Sequence, residues 1–261
     1  MMQTSGISTK TSILTRDYCS AIAYNKLNGE NPGIVFIHGF KSNKNSEKAL
    51  AIENFCANHN KAFIRFDMSG HGESAGNFED GTISSWTNDV IDVLDSLTSG
   101  PQILIGSSMG GWLMLLATLA RCNRIAGLFG LAAAPDFTEE LIFNSFNEKQ
   151  KETLLRKNYI MIKNCSEALL VSNKLIKDGR KHLILQKQIN ITCPIRLIHG
   201  QKDNDVPWNT ALRLQERLVS DDVEVILIKS SDHHLNKPDD IVLIKEVLDS
   251  LIKKSKNLLN L

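Results

Sequence analysis

The pentapeptide Gly106-Ser107-Ser108-Met109-Gly110 follows the apolar run Gln102-Ile103-Leu104-Ile105 and precedes a helix-like stretch from Gly111 to Ala120. A Gly-x-Ser-x-Gly pattern between a strand and a helix is typical of a sharp turn that strains the central serine. The glycines let the two elements approach closely, because a Cβ atom at either position would clash. We therefore expect the Ser108 hydroxyl to protrude at a sheet edge as a candidate nucleophile, the alternative being a turn without chemistry.

The segments on both sides of this turn predict a mostly parallel sheet of an α/β protein. Continuous apolar runs, typical of strands buried on both faces, alternate with segments that have apolar residues at helical spacing. The predicted strands are 33–38, 62–66, 102–105, 125–131, 194–199 and 223–229, and the predicted helices are 47–58, 86–97, 111–120, 208–219 and 239–254. Segments 11–15 and 21–25 alternate as an antiparallel pair would. We expect about eight strands with helices on both faces.

The stretch from Pro135 to Ile191 interrupts this alternation, because it contains no clear buried strand. Its apolar residues recur at helical spacing. They are Leu141, Phe143, Phe146, Leu154, Leu155, Tyr159, Leu169, Leu170 and Ile176. We therefore expect a small helical cap over residues 135–191, inserted into a core that consists of residues 1–134 and 192–261.

The composition excludes several classes of protein. The chain has 261 residues, of which 42% are hydrophobic, and this suits one large domain with a modest insertion. The formal net charge is +1 and acids are interspersed with bases, so no basic surface suggests nucleic acid. The longest strongly apolar run, 112–120, is far too short to span a bilayer. We expect neither nucleic-acid binding nor stable membrane insertion.

The cysteines and the amino terminus bear on the compartment. The chain has 5 cysteines, widely spaced and without a Cys-x-x-Cys pair, which favours reduced thiols over a disulfide framework or a zinc site. Residues 1–16 are rich in Ser and Thr and carry Lys10 and Arg16, as organelle transit peptides do. The segment is short, however, and its later part is predicted to be a strand. We therefore expect a cytoplasmic protein.

Two further side chains would complete the chemistry of a serine nucleophile. Acyl transfer by serine needs a base that takes its proton and an acid that orients that base, in the chain order Ser, Asp, His for this kind of turn. Asp203 follows the predicted strand 194–199, and His233 follows the predicted strand 223–229. Since the carboxyl ends of parallel strands meet at one sheet edge, both side chains should reach Ser108.

Neighbouring residues offer alternatives for both positions. Asp205 is the alternative acid, and either aspartate could instead serve only to form the turn. His234 is the alternative base, but only one of two adjacent histidines can point at Ser108. We interpret the other histidines as structural: His38, His59, His71, His182 and His199.

The oxyanion of a tetrahedral intermediate needs two backbone N–H donors. Met109, directly after the nucleophile, offers the first. The loop His38-Gly39-Phe40-Lys41, after an early buried strand, should offer the second from Phe40. The alternative is a glycine-containing loop that merely packs beneath a helix.

Taken together, these motifs resemble the α/β-hydrolase fold, whose order they follow along nearly the whole chain. The matching segments are His38-Gly39-Phe40, Asp67-Met68-Ser69-Gly70-His71-Gly72-Glu73-Ser74, Gly106 to Gly110, His199-Gly200-x-x-Asp203-x-x-Val206-Pro207 and Asp232-His233. Residues 32–40, 51–56, 100–115, 193–200 and 206–208 further resemble the branch that includes a mitochondrial palmitoyl-protein thioesterase and an acyl-glucuronide esterase.

The resemblance implies a serine hydrolase that cleaves carboxylic esters or acyl thioesters through an acyl-enzyme, without a metal or organic cofactor. It places the triad at Ser108, Asp203 and His233. The substrate would be an acylated protein or a small molecule, and the cap matches least well. Its apolar side chains would either form an acyl pocket or only attach the cap to the core. The alternatives are a peptidase or a C–C bond hydrolase on the same fold, and a noncatalytic ligand-binding relative.

Overall fold

The computed structural model describes residues 9–17, 19–163 and 168–259. The strands are β1 (Ser12–Leu14), β2 (Ile22–Leu27), β3 (Glu30–Ile37), β4 (Lys61–Phe66), β5 (Gln102–Ser107), β6 (Ile125–Leu131), β7 (Tyr159–Lys163), β8 (Ala168–Ser172), β9 (Ile195–Gly200) and β10 (Val223–Ile228). The helices are α1 (Glu47–Asn58), α2 (Ile83–Leu97), α3 (Met109–Ala120), α4 (Glu148–Lys157), α5 (Asn173–Gly179), α6 (Asn209–Arg217) and α7 (Pro238–Leu259).

Eight of these strands form one sheet in the order β1-β2-β4-β3-β5-β6-β9-β10. The strands from β4 to β10 in that order are parallel to one another, and β2 runs antiparallel to both of its neighbours. The predicted antiparallel start is confirmed, with Ser12 opposite Tyr24. The expected sheet of about eight mostly parallel strands is therefore confirmed, and the carboxyl ends of its parallel strands share one edge.

Both faces of the sheet are covered, which explains the continuous apolar runs of its central strands. In β5, Leu104 belongs to the cluster that contains Trp86 of α2 and Trp112 of α3. Ile103 and Ile105, with side chains on the opposite face, belong to a second cluster with residues of α1 and α7. All three side chains are buried, which explains the three consecutive apolar residues at positions 103–105.

The segment between β6 and β9 is not entirely helical. It contains α4 and α5, but β7 and β8 form a separate antiparallel pair, with Met161 opposite Leu170. The expectation of a helix at Leu169 and Leu170 is wrong, because both lie in β8. Side chains alternate between the two faces of a strand, and accordingly Ile160 is buried whereas Met161 is exposed.

Polar side chains attach this segment to the core. Trp112 Nε1 of α3 donates to the carbonyl oxygen of His182 at 3.2 Å. The buried Asp136 carboxylate accepts the backbone N–H groups of Ile184 and Leu185, each at 2.9 Å. Burial, which outweighs these hydrogen bonds, raises the pKa of Asp136 above its ordinary value. The beginning and the end of the segment are therefore joined through one side chain.

The described residues also bear on membrane-spanning helices and on the state of the cysteines. No helix within the described ranges is both long and apolar enough to cross a membrane. Four cysteines are free thiols, namely Cys19, Cys56, Cys122 and Cys193. Cys165 lies outside the described residues.

Candidate active site

Ser108 occupies the turn between β5 and α3 in a conformation that is rare for a residue with a side chain. Its φ angle is 53° and its ψ angle is −121°. Surrounding hydrogen bonds hold this strained backbone. The Ser108 N–H donates to Leu131 O at 2.9 Å, and Ser108 O accepts from Gly111 N at 2.9 Å and Ala134 N at 3.0 Å. Strain that the surrounding structure maintains in this way is common at functional sites.

The two flanking glycines are needed for close backbone approach. A Cβ atom added to Gly106 would lie 2.4 Å from Gly110 O. A Cβ atom on Gly110 would lie 2.2 Å from Ile37 O at the end of β3. Both obstacles are main-chain oxygens, which cannot move aside as a flexible side chain can. The sequence-based explanation of these glycines is confirmed.

The structure brings Ser108, His233 and Asp203 into one hydrogen-bonded chain. His233 Nε2 lies 3.0 Å from Ser108 Oγ, and His233 Nδ1 lies 2.7 Å from Asp203 Oδ2. Because the carboxylate can only accept, Nδ1 carries the proton and Nε2 is free to accept the serine O–H. This is the geometry required of a nucleophile, a base and an orienting acid.

The alternative residues lie outside this chain of hydrogen bonds. The Asp205 side chain is exposed, and its backbone N–H donates to Asp203 Oδ1 at 2.9 Å. His234 is also exposed, and its backbone N–H donates to Asp232 Oδ1 at 2.9 Å. Asp205 thus supports the Asp203 carboxylate through its main chain, and the His233 ring, not that of His234, faces Ser108.

The Asp203 carboxylate is buried and accepts four hydrogen bonds. Oδ1 accepts the backbone N–H groups of Asp205 at 2.9 Å and Val206 at 2.7 Å. Oδ2 accepts His233 Nδ1 at 2.7 Å and His199 Nε2 at 3.1 Å. Burial acts to raise the pKa of Asp203, but the hydrogen bonds from His199 and His233 outweigh it and hold that pKa well below its usual range.

The Gly39–Phe40 peptide, from the loop after β3, lies beside the nucleophile. A Cβ atom on Gly39 would be 3.7 Å from Ser108 Oγ. Gly39 O accepts His38 Nδ1 at 2.8 Å and Ser42 N at 3.1 Å. Because this peptide is trans, the Phe40 N–H points away from those donors. The first N–H groups of α3, beginning at Met109, also lack acceptors within the helix.

His38 is a buried neutral histidine beneath this loop. The backbone N–H of Met68 donates to His38 Nε2 at 3.1 Å, so the ring proton must be on Nδ1. Burial, with a smaller contribution from His71, lowers the pKa of His38 to about 3. At neutral pH the ring therefore keeps its proton on Nδ1 and donates it to Gly39 O.

Two cavities meet at Ser108, and Phe40 and His233 line both. Both cavities have mixed polar and apolar linings. The cavity beneath the segment 135–191 has a volume of about 560 Å³, and its apolar residues include Phe137, Leu141, Ile142, Phe146 and Ile162. The cavity beside the loop after β3 has a volume of about 450 Å³, and its polar residues include Ser42, Asn43, Ser46, Lys48 and Asn236. Of the apolar residues proposed for an acyl pocket, Leu155 and Tyr159 are exposed instead.

Two residues near the triad were missed by sequence reasoning. His199, interpreted as merely structural, contacts the Asp203 carboxylate. Lys48 of α1 is nearly buried, and its ammonium group donates to the carbonyl oxygen of His234. Burial lowers the pKa of Lys48 to about 8, although four nearby carboxylates oppose that shift. Neither contact has a clear signal in the sequence, because a histidine at a strand end is compatible with many partners and the sequence around Lys48 shows only a helix.

The described side chains that could together hold a metal ion belong to the same site. Ligand atoms of Asp203, Asp205 and His233 lie within 4.8 Å of one another. Two of these groups already share the hydrogen bond between His233 Nδ1 and Asp203 Oδ2. A metal ion would therefore compete with the bond that orients His233.

Comparison with known proteins defines the family. Residues 34–242 match the model of the alpha/beta hydrolase family, so the chain belongs to that family. Palmitoyl-protein thioesterase ABHD10, mitochondrial, from Homo sapiens is 44% identical over 97% of this chain and 83% of its own length. The protein of the same name from Bos taurus is 43% identical over 94% of this chain and 81% of its own length.

Solved structures agree with this assignment. The alpha/beta hydrolase domain-containing protein 10 from mouse has a TM-score of 0.89 and 40% identity, and the match covers 94% of this chain and 99% of that one. A putative hydrolase from Agrobacterium vitis S4 has a TM-score of 0.89 and 31% identity over the same shares. The α/β-hydrolase fold and membership of the hydrolase class of enzymes are confirmed.

The comparison also corrects the expected location. The relatives from Homo sapiens, Bos taurus and Mus musculus are named mitochondrial proteins. The expectation of a cytoplasmic protein is therefore wrong. It was based on the short length of the Ser- and Thr-rich segment 1–16 and on the strand predicted in its later part.

Proposed function

We propose that this chain is a serine hydrolase of long-chain acyl thioesters, with Ser108 as nucleophile, His233 as base and Asp203 as orienting acid. The observation that carries the proposal is the hydrogen-bonded chain Ser108–His233–Asp203, with distances of 3.0 and 2.7 Å, at the junction of two cavities. The relatives named palmitoyl-protein thioesterase support the choice of an acyl thioester. Their names also support a mitochondrial location.

The proposed reaction begins when His233 Nε2 takes the Ser108 proton while Ser108 Oγ attacks the acyl carbonyl carbon. The carbonyl oxygen becomes an oxyanion, which the N–H groups of Phe40 and Met109 stabilise. His233 then protonates the leaving thiolate, and the acyl group remains on Ser108. Water, activated by His233, hydrolyses this ester and restores the serine.

The segment 135–191 is proposed as a cap that supplies the acyl-binding side of the site. It contributes apolar side chains to the cavity beneath it, among them Phe137, Ile142 and Phe146, which are each less than a tenth exposed. Each buried CH₂ group contributes about 0.8 kcal/mol before the cost of ordering the chain. A longer acyl chain should therefore bind more tightly until the cavity is filled.

The cavity beside the loop after β3 is proposed to receive the leaving group. Its lining also includes Ser108 and contains hydroxyl, amide and charged side chains. Such a lining suits a peptide that carries the acylated cysteine or a small polar molecule. An acylated protein and a small-molecule thioester are both compatible with this arrangement.

A chain-length series tests the function. Thioesters of acetate, octanoate and palmitate with one common thiol should show kcat/KM rising with chain length, and Ser108→Ala should abolish turnover of all three. Ser220→Ala, a change in the loop before β10 at the opposite edge of the sheet, serves as the control and should retain wild-type rates. Activity confined to acetate, or full activity of Ser108→Ala, would contradict the proposal.

A further inference from the structure

We propose that His199 is a positioning residue of the triad, which holds the Asp203 carboxylate in the orientation that His233 requires. The inference rests on the proposed function, because it assigns a role beside the proposed nucleophile, base and acid. It changes the interpretation of His199 from a structural residue at a strand end to one on which catalysis depends.

The geometry determines which nitrogen of His199 carries the proton. The ring is completely buried at the end of β9, and Nε2 lies 3.1 Å from Asp203 Oδ2 and 3.0 Å from Val206 O. Both neighbours can only accept, so Nε2 must be the donor. Among the described residues, Nδ1 has no hydrogen-bond partner. A ring with its proton on Nε2 alone therefore satisfies this environment.

The contact completes the set of donors around Asp203. Two backbone N–H groups hold Oδ1, whereas both donors to Oδ2 are histidine rings. Oδ2 is the atom that receives His233 Nδ1, so its place decides where the His233 ring points. His199 is the second donor that keeps Oδ2 in that place. Its simultaneous contact with Val206 O also joins the end of β9 to the loop that carries Asp203.

The contact also has an electrostatic consequence. His199 is among the donors that hold the pKa of Asp203 below its usual range, against the effect of burial. Loss of this donor would leave more negative charge on Oδ2 to attract a proton on His233. The other charged or titratable groups around the site would be unchanged in a variant at position 199, and they include His38, Lys41, Glu47, Lys48, Asp205, Asp232, His234 and Asp240.

Two substitutions separate donation from shape. His199→Met removes the donor with little loss of volume, whereas His199→Gln places an amide donor where Nε2 was. We expect His199→Met to lower kcat by about tenfold to a hundredfold, the range for a hydrogen bond to a charged group, with little change in KM. The acid limb of kcat/KM, which reports the base, should move to higher pH. His199→Gln should regain most of both properties.

The outcomes are distinguishable from a failure of the proposed function. If wild-type protein turns over thioesters and Ser108→Ala does not, the function stands. Wild-type kcat and pH profile in His199→Met would then overturn the positioning role alone. Equal loss in His199→Met and His199→Gln with unchanged pH profiles would also overturn it, because only the shape of the ring would matter.

A measurement on the wild-type protein keeps the proposal testable if His199→Met does not fold. Nitrogen chemical shifts of ¹⁵N-labelled histidines report which ring nitrogen carries the proton. We expect His199 to be protonated on Nε2, with His199→Gln used to assign its signals. A ring protonated on Nδ1 would overturn the proposal, because such a ring cannot donate to Asp203.

Discussion

The sheet edge that carries the proposed triad and the proposed cap over it are held by different kinds of contact. At the edge, main-chain groups fix the geometry, since Ser108 N and Ser108 O both form hydrogen bonds with neighbouring backbone. The cap is attached partly through its backbone, where Ile189 pairs with the residues after α6, and partly through side chains, such as Trp112 to His182 O and Ser84 Oγ to Asp178 Oδ1 at 2.8 Å. Backbone constraints demand particular residues at particular spacings, whereas side-chain contacts can be replaced. The sequence is therefore more constrained at the residues proposed to carry out the reaction than at those proposed to bind the substrate.

The largest expected effect is on the proposed acid at the sheet edge. Asp203→Asn should lower kcat about 10⁴-fold, because the amide favours the wrong tautomer of the base. Asp205→Asn is the matched control, since the main-chain N–H of Asp205 donates to Asp203 whereas its side chain is exposed. Steady-state kinetics of both variants test the comparison. Equal losses in the two would mean that the acid had been assigned to the wrong residue.

A pair of glycines compares the two regions directly. A Cβ atom on Gly110 would meet a main-chain oxygen at 2.2 Å, and one on Gly179 of α5 would meet the Thr138 hydroxyl at 2.2 Å. The Thr138 side chain can shift or change rotamer, whereas the main-chain oxygen is fixed. Gly110→Ala should therefore cost about 3 kcal/mol or more in the free energy of unfolding, and Gly179→Ala should cost less. Urea unfolding measures both, and a reversed order would contradict the comparison.

A substitution in the cap should change the preference for acyl chain length, whereas one in the triad should lower the rate for all chain lengths. Phe146 lines the cavity beneath the segment 135–191 and is 5% exposed, whereas Leu155 of α4 is 61% exposed. Phe146→Ala should lower kcat/KM for a palmitoyl thioester by about tenfold to a hundredfold and leave that for an acetyl thioester nearly unchanged. Leu155→Ala should alter neither. A uniform loss across chain lengths in Phe146→Ala would remove Phe146 from the acyl pocket.

Replacing Lys48 should have a smaller effect, which raises the stability of the fold and lowers its activity. Burial disfavours the charged form of Lys48, as its lowered pKa shows, so replacing the ammonium group by an apolar side chain of similar size should stabilise the fold at neutral pH. Lys48→Met should therefore raise the melting temperature, yet lower kcat a few-fold by releasing the carbonyl of His234. A variant that is both less stable and fully active would contradict this account.

The pH dependence of stability gives a second measurement on the same pair of proteins. The pKa of Lys48 is lowered from 10.5 to about 8 in the folded protein. Between these values the unfolded chain binds more protons, so the Lys48 contribution to stability rises with pH. Wild type should thus approach Lys48→Met in unfolding free energy as the pH increases from about 8 to about 10.5. A constant difference would show that Lys48 does not titrate in this window.

The sequence predicted the sheet edge well because its motifs reflect main-chain constraints. Gly106 and Gly110 are required by close backbone contacts, and Asp203 and His233 follow strands that end at one edge. The roles of Phe40 and Met109 as oxyanion donors stay predictions, which need a bound transition-state analogue to test them.

The cap was predicted less well. The strands β7 and β8 are short and carry apolar residues at nearly every position, so their pattern does not differ from that of a buried helix. The contact between His199 and Asp203 was missed for another reason. A histidine at a strand end is compatible with many partners, and only the structure shows which side chain it meets.

The most direct test of the proposed mechanism is to trap the acyl group on the enzyme. Wild-type protein mixed with a palmitoyl thioester and quenched in acid during turnover should carry one palmitoyl group on the peptide that contains Ser108, as measured by mass spectrometry. Ser108→Ala should carry none. Turnover by wild-type protein with the acyl group on another residue, or on none, would contradict nucleophilic attack by Ser108.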